Sequence, residues 1–460
     1  MAFFPKRRKM GESSNKMMKL TQTIPDDIVE HIISMFLPVK SLLRNRILSK
    51  RFVSTNIQSR ILDFSGIYSR RRSQLEAVSI IEEVINQYKG SDIHRFILVI
   101  NHLGIEDKII SWINTCLGKN IQEIVLDFSK SKKVMEIPIN FSVVETLQHL
   151  KLRSCKFDMV DNSPKGLKLL RTLSLMRIEV MKETIDVVFT NCIHLESVEL
   201  INCLCMDGML SIHAPDHKKF KSLVLSYIRD LWVISLNAPS LENYQYDGYA
   251  IKFNFVSTYT LKEANLHYNR NFSQSYYDPS NLVVNSMNFF TKVFVLTTTT
   301  IFLEALTNKY VGGGKLEKRP FKFENLIKFH ISFKALTFCT LFDIAEFLKE
   351  CPKLERVVID IQNFTFQPQL PLWEIHHKDQ IQNDSKNNYV LKFLKKVKII
   401  GYKGHSHELD IVEFFAKNAP SLVKLKLVMP KSAKYIARAP DSTRIIDIKN
   451  IFPAIKVTEV

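Results

Sequence analysis

Leu147-Gln148-His149-Leu150-Lys151-Leu152, Leu170-Arg171-Thr172-Leu173-Ser174-Leu175, Leu195-Glu196-Ser197-Val198-Glu199-Leu200 and Phe220-Lys221-Ser222-Leu223-Val224-Leu225 decide the fold. Each hexad places apolar residues at its first, fourth and sixth positions. The last two of these are two apart, the period of a strand with one buried face. One such strand cannot bury its leucines alone, so copies must stack.

The beat extends in both directions. It stands earlier at Ile93–Leu98 and Ile121–Leu126, and later at Leu241–Tyr246, Leu261–Leu266, Leu326–Ile331, Leu354–Ile359, Leu394–Ile399 and Leu422–Leu427. Early copies recur at about the 20–29-residue period of leucine-rich repeats; later gaps stretch to about forty residues. Cys155 and Cys203 follow their hexads where such repeats place a small polar residue or a cysteine. Segments with helical spacing lie between the beats: Ile109–Leu117, Ile185–Phe189, Phe342–Leu348 and Leu409–Phe415. Three cassettes place a small residue and a proline before the next leucine: Ala238-Pro239-Ser240-Leu241, Cys351-Pro352-Lys353-Leu354 and Ala419-Pro420-Ser421-Leu422. The proline is read as ending a helix and turning the chain toward the sheet. Residues 268–325 break the beat, with Tyr276–Pro279 and Gly312–Lys315 read as loops, and Pro368–Asn388 is read as another.

Ahead of the repeats, Ile61–Phe64 reads as a first strand, and Leu75, Val78, Ile81, Ile85 and Tyr88 mark an amphipathic helix. Further upstream lies a compact helical cluster, Ile24 to Phe52. Pro25 suits a first helical turn, Asp26 and Asp27 suit its positive end, and Ile28, Val29, Ile32, Ile33 and Phe36 make one face. Leu37-Pro38 stops that helix. Two shorter helices follow, carrying Leu42 and Leu43, then Ile47, Leu48, Phe52 and Val53. Three helices this short form a marginal core that needs a partner.

The order Ile-Pro-Asp-Asp-Ile, Ile-Ile, Phe-Leu-Pro, Leu-Leu-Arg, Leu-Ser-Lys-Arg-Phe from Ile24 to Phe52 resembles the F-box of plant F-box proteins. It departs from that pattern at Ile24, in place of leucine, and at Phe52, often tryptophan. Residues 391–422 resemble the FBD module found at the C-terminus of many such proteins: a strand, the Gly401-Tyr402-Lys403-Gly404 turn, a helix and a returning strand. The whole is similar to plant F-box/leucine-rich-repeat proteins with a C-terminal FBD domain. The implied fold class is α/β: a three-helix F-box, then an irregular repeat solenoid with a parallel sheet on the concave face and helices outside. The expected divisions are a flexible basic tail at 1–19, an F-box domain at 20–64, a linker helix at 65–92, the repeat solenoid at 93–390, an FBD-like unit at 391–430 and a C-terminal extension at 431–460.

The resemblance implies docking to a Skp1-type adaptor and, through it, to a cullin-based ubiquitin ligase, with an unknown protein target held on the repeats. The adaptor face expected on this reading is Ile24, Pro25, Ile28, Ile32, Leu37, Pro38 and Leu42, with Lys50 and Arg51 at its rim. Residues flanking the last leucine of each beat point outward. Among them Lys151, Arg153, Met176, Glu199, Ile201 and His267 are the expected target contacts. Two other readings remain: a hormone-type receptor in which a small molecule glues the target to the repeats, and an interaction scaffold outside any ligase.

Composition fits a folded protein. Of the 460 residues, 46% are hydrophobic and 24% charged, which argues against global disorder. The net charge is +18, and residues 1–60 hold 12 Lys/Arg against 4 Asp/Glu, a net of +8. No zinc-finger spacing or aromatic-basic motif accompanies that charge, so no direct nucleic-acid contact is expected. Pro5–Lys9 resembles a short nuclear-localisation signal, giving a nuclear and/or cytoplasmic expectation. No apolar stretch behind Met1 suggests a secretory signal, and Phe289–Leu306 is too short and polar to span a membrane. The sequons at Asn271 and Asn363 are therefore expected to stay unmodified.

Seven scattered cysteines are read as reduced core thiols, and Cys203-Leu204-Cys205 lacks metal-site spacing. Gly312–Lys315 lacks the spacing of a phosphate loop. His405, His407 and Glu408 lie in an expected turn without further ligands. No nucleophile or metalloprotease motif occurs, and neither an enzyme activity nor a cofactor is expected.

Overall fold

The computed structural model describes residues 58–459 except 70–71, 137–140, 142–143, 158–165, 258–259, 270–279, 307–320, 335–336, 338, 340, 363, 365–390, 431–445, 447–448 and 454. The basic tail, the F-box-like stretch, the loops at 276–279, 312–315 and 368–388, and both sequon asparagines lie outside the described residues. The chain divides into two compact units, Met1–Ile178 with Asn191–Ile193, and Glu179–Thr190 with His194–Val460.

In the first unit β1 (Ile61–Asp63), β2 (Arg95–Val99), β3 (Glu123–Asp127), β4 (His149–Arg153) and β5 (Thr172–Met176) pair in parallel and in chain order. Helix α1 (Gln74–Asn86) opens on a capping box: Glu76 N–H donates to Ser73 Oγ at 3.2 Å, and Ser73 N–H donates to the Glu76 carboxylate at 2.9 Å. Its buried face is Ala77, Val78, Ile81 and Val84. Leu75, read as part of that face, is 77% exposed, because the buried stripe starts two residues later at Ala77. Helix α2 (Glu106–Leu117) buries Ile109, Trp112, Ile113 and Cys116, as its spacing predicts.

The second unit repeats the scheme. β7 (Ser197–Ile201), β10 (Ser222–Ser226), β12 (Asn243–Tyr249), β14 (Glu263–Asn269), β15 (Val295–Thr299), β16 (Lys328–Ser332), β17 (Arg356–Asp360), β18 (Lys396–Ile400), β19 (Lys424–Val428) and β20 (Lys456–Glu459) form one parallel sheet in that order. Helices α3 (Lys182–Asn191), α4 (Ser280–Ser286), α5 (Thr300–Leu306), α6 (Leu341–Leu348) and α7 (Ser406–Asn418) lie between strands in sequence. The four segments read as helical are all helical.

The expectation of helices on the outer layer needs correction between residues 204 and 257. There the outer layer is strand: β9 (Met209–His213), β11 (Val233–Asn237) and β13 (Lys252–Ser257) form a second parallel sheet, and β6 (Glu179–Val180) pairs with β8 (Leu204–Cys205). Aromatic rings fill the layer beneath. Tyr244 packs edge-on against Phe255 at 5.4 Å and against Phe253 at 6.2 Å, and stacks on Phe290 at 6.0 Å. Ala264, the register partner of Tyr244, supplies the small side chain that lets the large ring fit.

A backbone device sets the start of most strands in the main sheet. The carbonyl just before one strand accepts two N–H groups from the next repeat. Glu242 O takes Lys262 and Glu263, Phe294 O takes Ile327 and Lys328, Glu355 O takes Lys395 and Lys396, and Lys395 O takes Val423 and Lys424. In several hexads the first residue closes a turn into this device, its N–H bonding the carbonyl three residues back: Leu241 to Ala238 at 3.1 Å, Leu354 to Cys351 at 3.2 Å, Leu422 to Ala419 at 3.0 Å. The cassette prolines Pro239, Pro352 and Pro420 therefore occupy the second position of a turn, the place their fixed φ suits. Pro239 follows a strand, β11, and does not end a helix.

Two strands were not legible as repeats. β15 carries Thr298 where other copies carry an aliphatic residue; it is fully buried, and its hydroxyl donates to Leu266 O at 2.9 Å, as Thr299 does to Tyr268 O. β20 lies in the expected C-terminal extension and pairs with β19 in register. All seven cysteines are buried and none forms a disulfide, as core thiols should. Burial pushes the Cys116, Cys155 and Cys192 thiols up to about 12, so they are inert at neutral pH.

Candidate interaction face

Because the strands pair residue for residue, side chains fall into columns. Second and fourth positions point into the core: Leu150 and Leu152, Val198 and Leu200, Val397 and Ile399 are all nearly fully buried. First, third and fifth positions form the outward face. Any contact made through the sheet uses those columns.

In the first unit Lys151 is exposed at the third position of β4, and Met176 is half-buried at the fifth position of β5, in register with Arg153. The Arg153 guanidinium bonds the Asp127 carboxylate of β3 at 3.2 Å, which ties the arginine to the sheet. In the second unit Glu199 and Ile201 are half-buried on β7, in register with Val224 and Ser226. His267 sits half-buried on β14 opposite Asp247, and its Nε2 has no hydrogen-bond partner among the described residues. Burial lowers the imidazole below its ordinary value, helped by Lys334 and opposed by Asp247. The expected adaptor-binding residues, Ile24 through Arg51, lie outside the described residues.

A depression of about 210 Å³ opens on the outward face of β10, β12 and β14, framed by Ser222, Val224, Asn243, Gln245, Glu263 and Asn265. Beside it Glu242 bridges two cations, Lys221 at 2.8 Å and Lys262 at 2.6 Å. Those ammoniums hold its carboxyl down at about 2.

Sequence reasoning passed over the first column of the C-terminal strands. Lys328, Arg356, Lys396, Lys424 and Lys456 occupy it on β16 to β20, each in register with the next and each exposed. The signal was available for four of them, since each stands two residues after the hexad leucines Leu326, Leu354, Leu394 and Leu422. Only positions flanking the last leucine had been read as outward. Lys456 carries no such cue, because Ala454 replaces the leucine.

The FBD-like stretch forms β18, a turn, α7 and β19. Gly401 has φ of +83°, and a Cβ there would lie 2.4 Å from Gln362 Cα, so only glycine fits. Glu408 turns back on this loop and accepts from the Lys403 N–H at 2.7 Å and the Gly404 N–H at 2.9 Å. Burial raises its carboxyl to about 6 against the pull of those donors and of Lys403. Among the described residues no group of three His, Cys, Asp or Glu could hold a metal ion, and no helix is long and apolar enough to cross a membrane.

The family described as "At1g61320/AtMIF1, LRR domain" matches residues 84–445. FBD-associated F-box protein At1g61320 of Arabidopsis thaliana is 66% identical over 454 residues, 99% of this chain and 98% of the relative. Putative FBD-associated F-box protein At1g61330 of the same plant is 61% identical over 452 residues, 98% and 100% of the two chains. F-box/LRR-repeat protein At2g42730, also of Arabidopsis thaliana, is 25% identical over 260 residues, covering 53% and 55%. Parallel columns of buried leucines, the Gly401 turn and near-full-length kinship converge: the chain belongs to the F-box/leucine-rich-repeat/FBD family.

Proposed function

We propose that this chain is the substrate-recognition subunit of a Skp1-cullin-F-box ubiquitin ligase. Residues 20–64 dock a Skp1-type adaptor through Ile24, Pro25, Ile28, Ile32, Leu37, Pro38 and Leu42, with Lys50 and Arg51 at the rim. A target protein is held on the outward sheet face, where Lys151, Arg153 and Met176 in one unit and Glu199, Ile201 and His267 in the other are contacts. The chain performs no chemistry itself; it raises ubiquitin transfer by holding the target near the reacting centre. It works in the nucleus, the cytoplasm or both.

The observation that carries this reading is the F-box-like order of residues from Ile24 to Phe52, in sequence ahead of a parallel repeat sheet. Full-length relatives named as F-box proteins support it. Capture by immobilised Skp1 tests it, comparing wild type with the Pro25→Ala/Leu37→Asp variant. Wild type is retained and the variant is lost; equal recovery of both, or recovery of neither, overturns the reading.

A further inference from the structure

Like charges placed directly opposite on neighbouring strands oppose sheet formation. The register nevertheless stacks Lys328, Arg356, Lys396, Lys424 and Lys456 in one column across five strands. Neighbouring strands lie about 4.8 Å apart, so the column spans about 19 Å. Lys398 and Lys426 add a second cationic pair at the third position of β18 and β19, half-buried and in register with each other. None of these seven side chains makes an ion pair among the described residues.

Elsewhere the chain pairs its outward charges across strands. Arg95 meets Glu123 at 3.0 Å, Arg153 meets Asp127, Glu242 bridges Lys221 and Lys262, and Lys395 meets Glu355 at 2.9 Å. The means of neutralising a cation is thus in use on earlier strands and just ahead of β17 and β18, and the column lacks it. A ladder of exposed cations that costs stability is accounted for by a ligand that brings the anions.

Flanking side chains identify that ligand. Beside the cations lie aliphatic Val358, Ile400 and Val428, half-buried, with no Phe, Tyr or Trp at the outward positions of β16 to β20. Nucleic-acid-binding faces add aromatic stacking platforms to their cations; this face adds aliphatic surface. Carboxylates at i, i+3/i+4 and i+7 of a helix recur about every 5.4 Å, close to the spacing of the rungs. We propose that β16 to β20 form a cationic comb that docks an acidic, aliphatic segment of the protein target. This inference rests on the reading that the sheet recruits a protein.

Fluorescence anisotropy with the full chain tests it. The probe is a labelled 20-residue peptide with Glu at i, i+3/i+4 and i+7 and Leu between them. Its Glu→Gln analogue and a 20-nucleotide oligo-dT serve as comparisons. The comb requires that wild type bind the Glu peptide and that binding weaken as salt rises. The Lys396→Glu/Lys424→Glu variant loses at least tenfold, while Lys219→Glu, an exposed lysine off the column, binds within twofold of wild type. Both variants change exposed side chains, and an unchanged melting transition verifies folding. No binding of the Glu peptide, equal binding of the Gln analogue, tighter binding of oligo-dT, or an unaffected double variant each overturns the comb. Skp1 capture of the wild-type preparation separates the two readings: wild type that is captured but does not bind the Glu peptide fails the comb alone, and wild type that binds the peptide but is not captured fails the ligase reading alone.

Discussion

The residue that follows a strand carries much of the local constraint. Ser154, Arg177, Asn202 and Tyr227 come directly after β4, β5, β7 and β10, all with φ between 51° and 56°, and Gly401 does the same after β18. Only glycine takes that region without strain. Gly401→Ala is expected to lose about 1–3 kcal/mol from backbone strain alone, with more from the clash at Gln362, in chemical denaturation. Arg177 is exposed and strained, so Arg177→Gly should gain up to about 1 kcal/mol, the relief net of glycine's unfolded-state entropy. Tyr244 is fully buried, and its hydroxyl has no partner among the described residues. Tyr244→Phe removes an unsatisfied polar group while keeping the ring contacts, and should stabilise by about 1 kcal/mol. Glu408 has its folded value raised to about 6 from the ordinary 4.5. Its contribution is therefore complete below the unfolded value and is lost as pH rises through about 6. Hydrogen exchange of α7 followed from pH 4.5 to 7 should show this fall in wild type and not in Glu408→Gln.

At the scale of the element, leucine spacing made most strands legible and hid two kinds of structure. The hexads locate strands because their first leucine closes a turn and their fourth and sixth residues fill the core. β15 was missed because threonine hydroxyls read as polar, although both Thr298 and Thr299 satisfy them on the preceding strand's carbonyls. The outer strands β9, β11 and β13 do alternate, with Leu210 and Ile212, Ile234 and Leu236, and Phe253 and Phe255 buried. β9 and β13 lack the leading leucine, with Asp207 and Ala250 in its place, whereas β11 carries it as Leu231 and its beat was passed over. The outward columns were half legible. Alternation says which side chains leave the core, but only register says which of them stand together. The cassette prolines act through the turn, so Pro420→Ala should cost about 0.4–1 kcal/mol through the freedom it returns to the unfolded chain. Equilibrium denaturation read beside Pro239→Ala checks this, the two losses being similar although one proline follows a helix and the other a strand.

For the whole molecule, stacked repeats make stability a sum of local pieces. Leu150→Ala in the first unit and Leu425→Ala in the second should each cost about 2–5 kcal/mol. Hydrogen exchange should place the first loss on β3 to β5 and the second on β18 to β20, the strands bonded to each site. Loss of protection spread evenly over both units would contradict the division of the chain. The paired carbonyl at each strand's start has a consequence for how such a protein changes over generations. It takes two backbone N–H groups, from the strand's first residue and the one before it, and is indifferent to the side chain at that first position. That column can therefore be rewritten from serine to asparagine to lysine without disturbing the frame that displays it. Such a protein can drift to new clients while its architecture stands still.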